Sequence, residues 1–241
     1  MYDQQRRCAL FLIPVVCLLL TCVPAWALPY VVSDQPSAPL GEYAGYWQEG
    51  AARQSLEEAQ QAWLRGEFGA GQRAVASFGI GARPVWMRLE LQNPATGTQP
   101  FRLMVGPTWI DHLAVYQVQQ GQLVQSWQAG DAQPGNAVLQ PAQGFGFDLQ
   151  LAPGTTELFI RAATDDPLIL QVMLQPQATV ELNDLRVHYG YGLLYGFLLA
   201  LTAYNALLYG GLRSTSYLYY ALYLLSFILG SLAYTGHGFA W

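Results

Sequence analysis

Val85-Trp86-Met87-Arg88-Leu89-Glu90-Leu91-Gln92-Asn93 alternates with a period of two. Side chains on a β-strand point to opposite faces in turn, so Val85, Met87, Leu89 and Leu91 share one face. Trp86, Arg88 and Glu90 take the other. Leu158-Phe159-Ile160-Arg161 repeats the arrangement, with Leu158 and Ile160 on one side and Phe159 and Arg161 opposite. Working outward, strands are predicted near Tyr30–Ser33, Gly41–Trp47, Arg73–Ser77, Val85–Gln92 and Phe101–Gly106. The series continues with Ile110–Gln119, Leu123–Trp127, Phe145–Leu151, Glu157–Ala163 and Leu168–Leu174. Asn93-Pro94, Gln120-Gly121, Pro134-Gly135 and Pro153-Gly154 punctuate them as turns. One helix interrupts the pattern over Ser55–Arg65, where Ser55-Leu56-Glu57-Glu58 reads as a capping box. Many short strands with regular turns indicate a mainly β domain, an antiparallel β-sandwich.

The ends of the chain differ from this middle. Of 241 residues, 52% are hydrophobic and only 11% charged, so apolar sequence must be concentrated somewhere. Part of it lies at the start: Arg6-Arg7, an apolar run from Ala9 to Val23, and Ala25-Trp26-Ala27 together read as a signal peptide over residues 1–27. The alternative is an uncleaved anchor, for which a run of roughly 15 residues is short. Cys8, Cys17 and Cys22 all fall in this segment, so the mature protein would hold no thiol and no disulfide. The other apolar region follows Arg186. Val187–Gly210 and Tyr217–Gly236 are each long enough to span a bilayer and have no polar face, which argues against a buried hairpin of a soluble core. The chain then divides into a periplasmic sandwich (28–175), a polar stalk (176–186) and membrane helices (187–241). Arg213 in the link would lie inside, in accord with the positive-inside tendency. Gly192, Gly196 and Ala200 form a small-residue seam for helix packing, and Asn205 would seek a partner in a neighbouring helix.

Catalytic patterns are missing. The adjacent pairs Glu57-Glu58 and Asp165-Asp166 do not oppose each other across a cleft, as a glycosidase requires. No Gly-x-Ser-x-Gly elbow occurs, and His112, His188 and His237 are too scattered for a metal site. The expectation is no enzyme, no cofactor and no metal. A net charge of −5 without any basic cluster excludes a nucleic-acid footprint.

Several short motifs, taken in order, resemble a known family. They are Phe78-Gly79, then Trp86-x-Arg88-Leu89-x-Leu91-x-Asn93, Ile110-Asp111-x-Leu113-x-Val115-Tyr116, Gly130-Asp131 and Leu158-Phe159-Ile160-Arg161. Gly192-x-x-x-Gly196, Tyr204-Asn205, Arg213 and Tyr217-Leu218-x-Tyr220-Ala221-Leu222-Tyr223 continue them. From Phe78 to Trp241 the chain resembles the bacterial seven-transmembrane receptors with diverse intracellular signalling modules, in their type 2 extracellular domain and the start of their membrane region. It departs from them at Pro134-Gly135-Asn136, where the family often has an Arg-Pro pair. The resemblance implies a carbohydrate-binding-like jelly roll and an inner-membrane receptor with a cytoplasmic histidine kinase or diguanylate cyclase.

The receptor reading expects a small-molecule ligand, with a carbohydrate as one class, the lipid bilayer as surroundings and a homodimer as an open arrangement. A membrane-tethered, lectin-like protein without signalling is the alternative. If the strands carrying Trp86, Arg88, Phe159 and Arg161 share a sheet, those four side chains could form a ligand patch bordered by Trp109 and Asp111. The competing expectation is that Arg88 and Arg161 lock onto buried acceptors and serve the fold.

Overall fold

The computed structural model describes residues 28–50, 52–132 and 138–237. The signal segment, the Pro134-Gly135-Asn136 turn and Trp241 lie outside them. Strands run in chain order as β1 (Tyr30–Val31), β2 (Ala44–Gln48), β3 (Gly69–Ala70), β4 (Ala76–Gly79), β5 (Val85–Asn93) and β6 (Gln99–Gly106). They continue as β7 (His112–Gln119), β8 (Gln122–Ala129), β9 (Val138–Gln140), β10 (Gly144–Leu151), β11 (Gly154–Ala163) and β12 (Leu168–Pro176). The helices are α1 (Leu56–Leu64), α2 (Gln177–Leu212) and α3 (Thr215–Tyr234).

Two mostly antiparallel sheets face each other, ordered β3-β2-β5-β11-β7-β8 and β4-β12-β6-β10-β9, with β1 pairing β5 in parallel. The expected sandwich is therefore present. Its core follows from period-two alternation. Val85, Met87, Leu89, Leu91, Leu158 and Ile160 from the first sheet meet Leu103, Val105, Phe147, Leu149, Leu170 and Val172 from the second.

The first sheet is covered on its outer face as well. Ser55 and Glu58 satisfy each other's backbone amides as a capping box, at 3.3 and 2.7 Å, and so start α1. The helix lays Leu56 and Ala59 over Trp86, Phe159 and Val118, making a second, smaller core. Strands β5 and β11 are buried on both sides for this reason.

β3 and β9 were not predicted, since two or three residues are too few to show alternation. The strand expected at Arg73–Ser77 sits at Ala76–Gly79 instead, where it pairs with β12. The polar stalk is helical and continuous with the first apolar segment, so α2 has 36 residues and is about 54 Å long. Pro176 both ends β12 and caps α2, so the sandwich joins the helix with no linker between them. Both α2 and α3 are long and apolar enough to cross a membrane.

Candidate functional site

The register brings the four patch residues together. Phe159 lies opposite Arg88 and Arg161 opposite Trp86, all on the α1 side of the sheet. They are buried there, not presented to solvent. Glu49, itself 2% exposed, receives both Nε and Nη2 of Arg161 at 2.6 and 2.9 Å, and accepts from the Trp86 indole at 2.7 Å. Arg88 donates to Glu157 and to Glu90, and its guanidinium lies 4.0 Å from the centre of the Trp63 ring. Trp86, Arg88 and Arg161 each donate to an internal carboxylate. The arrangement fastens α1 and the Glu49 segment to the sheet.

Trp109 and Asp111 lie elsewhere, at the end of the sandwich that meets the helices. A cavity of about 760 Å³ opens beside Trp109. Its sandwich wall includes Thr108, Trp109, Asp131, Leu139, Phe145 and Asp166. Its far wall is Ala233, Tyr234 and Gly236, where α3 ends. The Trp109 and Tyr234 rings pack with centroids 5.0 Å apart, and Thr108 Oγ1 donates to the Tyr234 carbonyl. Trp109 is oriented by its indole N–H, which donates to the Pro167 carbonyl at 3.3 Å.

A carboxylate cluster is built into the same end. Gly130 has φ +140°, and a Cβ there would stand 2.0 Å from the Asp111 carbonyl oxygen, so only glycine allows this approach. The next residue, Asp131, is thereby held against Asp111, its amide donating to the Ile110 carbonyl. The Asp165 amide donates to Asp111 at 2.9 Å and holds that carboxyl below its ordinary range. Burial pushes the Asp131 carboxyl up, and the charge of Asp111 adds to the effect. Among the described residues, no group of three or more His, Cys, Asp or Glu could hold a metal ion.

The turn between β9 and β10 touches both helices. Gln143 contacts Asn183 and Asp184 of α2, at 3.1 and 3.4 Å, and the Ala142 amide donates to Thr235, just past α3, at 2.7 Å. Arg102 adds an ion pair to Asp184 at 3.5 Å. Neither the contacts of this turn nor the cavity was legible in the sequence, because they join segments far apart along the chain.

Residues 41–176 match the family described as 7TMR-DISM extracellular 2, and residues 188–241 match that described as 7TM diverse intracellular signalling. The chain belongs to the 7TMR-DISM family. It is accordingly a transmembrane receptor sensor, a membrane protein with an extracellular domain. No curated protein matches it. Among solved structures, it is similar to a family 35 carbohydrate-binding module from Clostridium thermocellum at 10% identity and a TM-score of 0.31. That match covers 58% of this chain and 96% of the module. The CBM35 from Cellvibrio japonicus Abf62 is 13% identical, with a TM-score of 0.26, covering 54% of this chain and 85% of that one. Similarity this low carries no statement about ligand.

In this 7TMR-DISM chain the Gly192, Gly196 and Ala200 seam is exposed, and a Cβ at either glycine would meet nothing within 4 Å. α3 does not pack on that face. Asn205 is buried, but its amide donates at 2.8 Å to Leu201 of its own helix, not to a neighbour. A carbonyl one turn back is always within reach of a helical side chain of this length, so no second helix is needed to satisfy it.

Proposed function

We propose that this chain is the periplasmic input and first transducing part of a bacterial inner-membrane receptor. Its ligand is a small molecule held in the cavity beside Trp109, with a carbohydrate as one class, and its output is a cytoplasmic histidine kinase or diguanylate cyclase. One observation carries this reading: the cavity is walled on one side by the sandwich and on the other by the end of α3. A ligand there touches the sensor and the transducer at once. It can shift their relative position only through a difference in affinity between two arrangements, and a shared wall supplies that difference. The turn carrying Ala142 and Gln143, next to the cavity residues Leu139 and Phe145, offers the second arm of the relay, since it contacts both helices.

The test uses the whole chain in lipid nanodiscs. Neutral monosaccharides, amino sugars and aryl amines are screened by thermal shift, and any binder is retested on Trp109→Ala. The expected outcome is loss of the shift in the variant, together with loss of a ligand-dependent change in hydrogen exchange at Ala142. A binder whose shift survives Trp109→Ala would move the site away from this cavity and overturn the reading.

A further inference from the structure

We propose that the cavity selects an organic cation, a protonated ammonium group carried on an apolar body; this inference rests on the receptor reading above. Among the described residues, the lining contains the carboxylates Asp131 and Asp166 and no basic residue. The chain has no lysine at all, and three of the sandwich arginines, Arg88, Arg102 and Arg161, are already paired with acidic partners. An anion entering here would meet two carboxylates in the lining and no arginine.

The hydrogen-bonding inventory points the same way. The Trp109 indole donates to Pro167, Thr108 Oγ1 to the Tyr234 carbonyl, the Asp131 amide to Ile110 and the Asp166 amide to Thr164. These four donors are engaged within the protein, and the Asp131 carboxyl shares a hydrogen bond with Asp111, which leaves the Asp166 carboxylate as the acceptor of the lining with no side-chain partner among the described residues. A neutral polyol needs both kinds of partner. An ammonium needs acceptors only. Trp109, with its N–H engaged, lines the cavity with its ring, and an indole π-system attracts a cation. Phe145, Leu139 and Ile169 supply the apolar wall for the rest of such a molecule. Burial, and after it the charges of Asp111 and Asp166, raise the Asp131 carboxyl, and a cation arriving beside it favours the ionised form.

Matched pairs of probes decide the matter: phenethylammonium against 2-phenylethanol, and glucosamine against glucose. Each pair differs by one ammonium in place of one hydroxyl. Binding is measured by calorimetry on the whole chain in nanodiscs of phosphatidylglycerol alone, with empty discs subtracted. The charged member of at least one pair should bind about tenfold or more tightly than its neutral partner, the difference one charge-assisted hydrogen bond makes. Asp131→Asn and Asp166→Asn should each remove most of that difference without lowering the melting temperature. Equal binding within both pairs, binding of the neutral members alone, or no binding by any probe would overturn the ammonium assignment. Glucose binding as tight as that of glucosamine and lost in Trp109→Ala would do so while leaving the receptor reading intact.

The ammonium could be carried by a free amine or by an ethanolamine lipid headgroup, since the cavity opens where α3 ends. Discs of phosphatidylglycerol alone are compared with discs containing phosphatidylethanolamine. Loss of probe binding in the second set identifies the lipid as the source, and unchanged binding identifies a soluble amine. Either result supports the assignment.

Discussion

Arg161→Ala tests whether the aromatic and arginine patch serves the fold. The substitution leaves the Glu49 carboxylate, 2% exposed, with only the Trp86 indole as its partner. Breaking a buried pair by removing one member costs about 3–5 kcal/mol, most of it from the charge left without compensation. For a protein of this size each kcal/mol lowers the melting temperature by about 2–4 °C, so the expected fall is about 6–20 °C. Near-ultraviolet circular dichroism on the whole chain is the suitable assay, because Trp86 stacks on Tyr116 with centroids 5.8 Å apart and reports the local packing. The double variant Glu49→Gln, Arg161→Met should recover most of the loss, since it removes both charges, keeps an acceptor for the indole and roughly conserves volume. A single variant that melts with the parent, or a double variant as unstable as the single one, would refute the account of Glu49 as a buried charge held by Arg161.

Four other outcomes are expected. Gly130→Ala should destabilise by more than about 1 kcal/mol, measured by chemical denaturation, because its φ is unfavourable and its Cβ would overlap the Asp111 carbonyl. Gly196→Leu should leave the melting of this chain unchanged, since its face is open; it should disturb a longer receptor in which another helix covers the seam. The carboxylate cluster predicts two opposed pH effects: Asp131, raised by burial and then by the charge of Asp111, contributes stability that is lost as pH climbs through its elevated value, whereas Asp111, lowered by the Asp165 amide, contributes stability lost as pH falls through its depressed value. Melting curves of Asp131→Asn and Asp111→Asn should each lose the matching limb. Finally, a reporter active only in the periplasm should work when fused after Gln175 and fail when fused after Arg213; the reverse result would invert the proposed topology.

The sequence by itself determined the elements whose signal is local. Alternation over Val85–Asn93 and Leu158–Arg161 named the core faces correctly, because a period of two is a property of the strand alone. Ser55 and Glu58 announced α1 because a capping box closes within four residues. The long apolar stretches announced α2 and α3, and the ordered motifs pointed to the family. Alternation could place Trp86, Arg88, Phe159 and Arg161 on one face, but not say whether that face meets water. Only the tertiary structure decided that, by folding α1 across it and delivering Glu49 from 37 residues before Trp86 and 112 before Arg161. The cavity is a still more distributed object, assembled from Thr108, Asp131, Asp166 and Tyr234. No local pattern encodes the space left where the end of a sandwich meets the end of a helix, because that space is set by how whole elements pack.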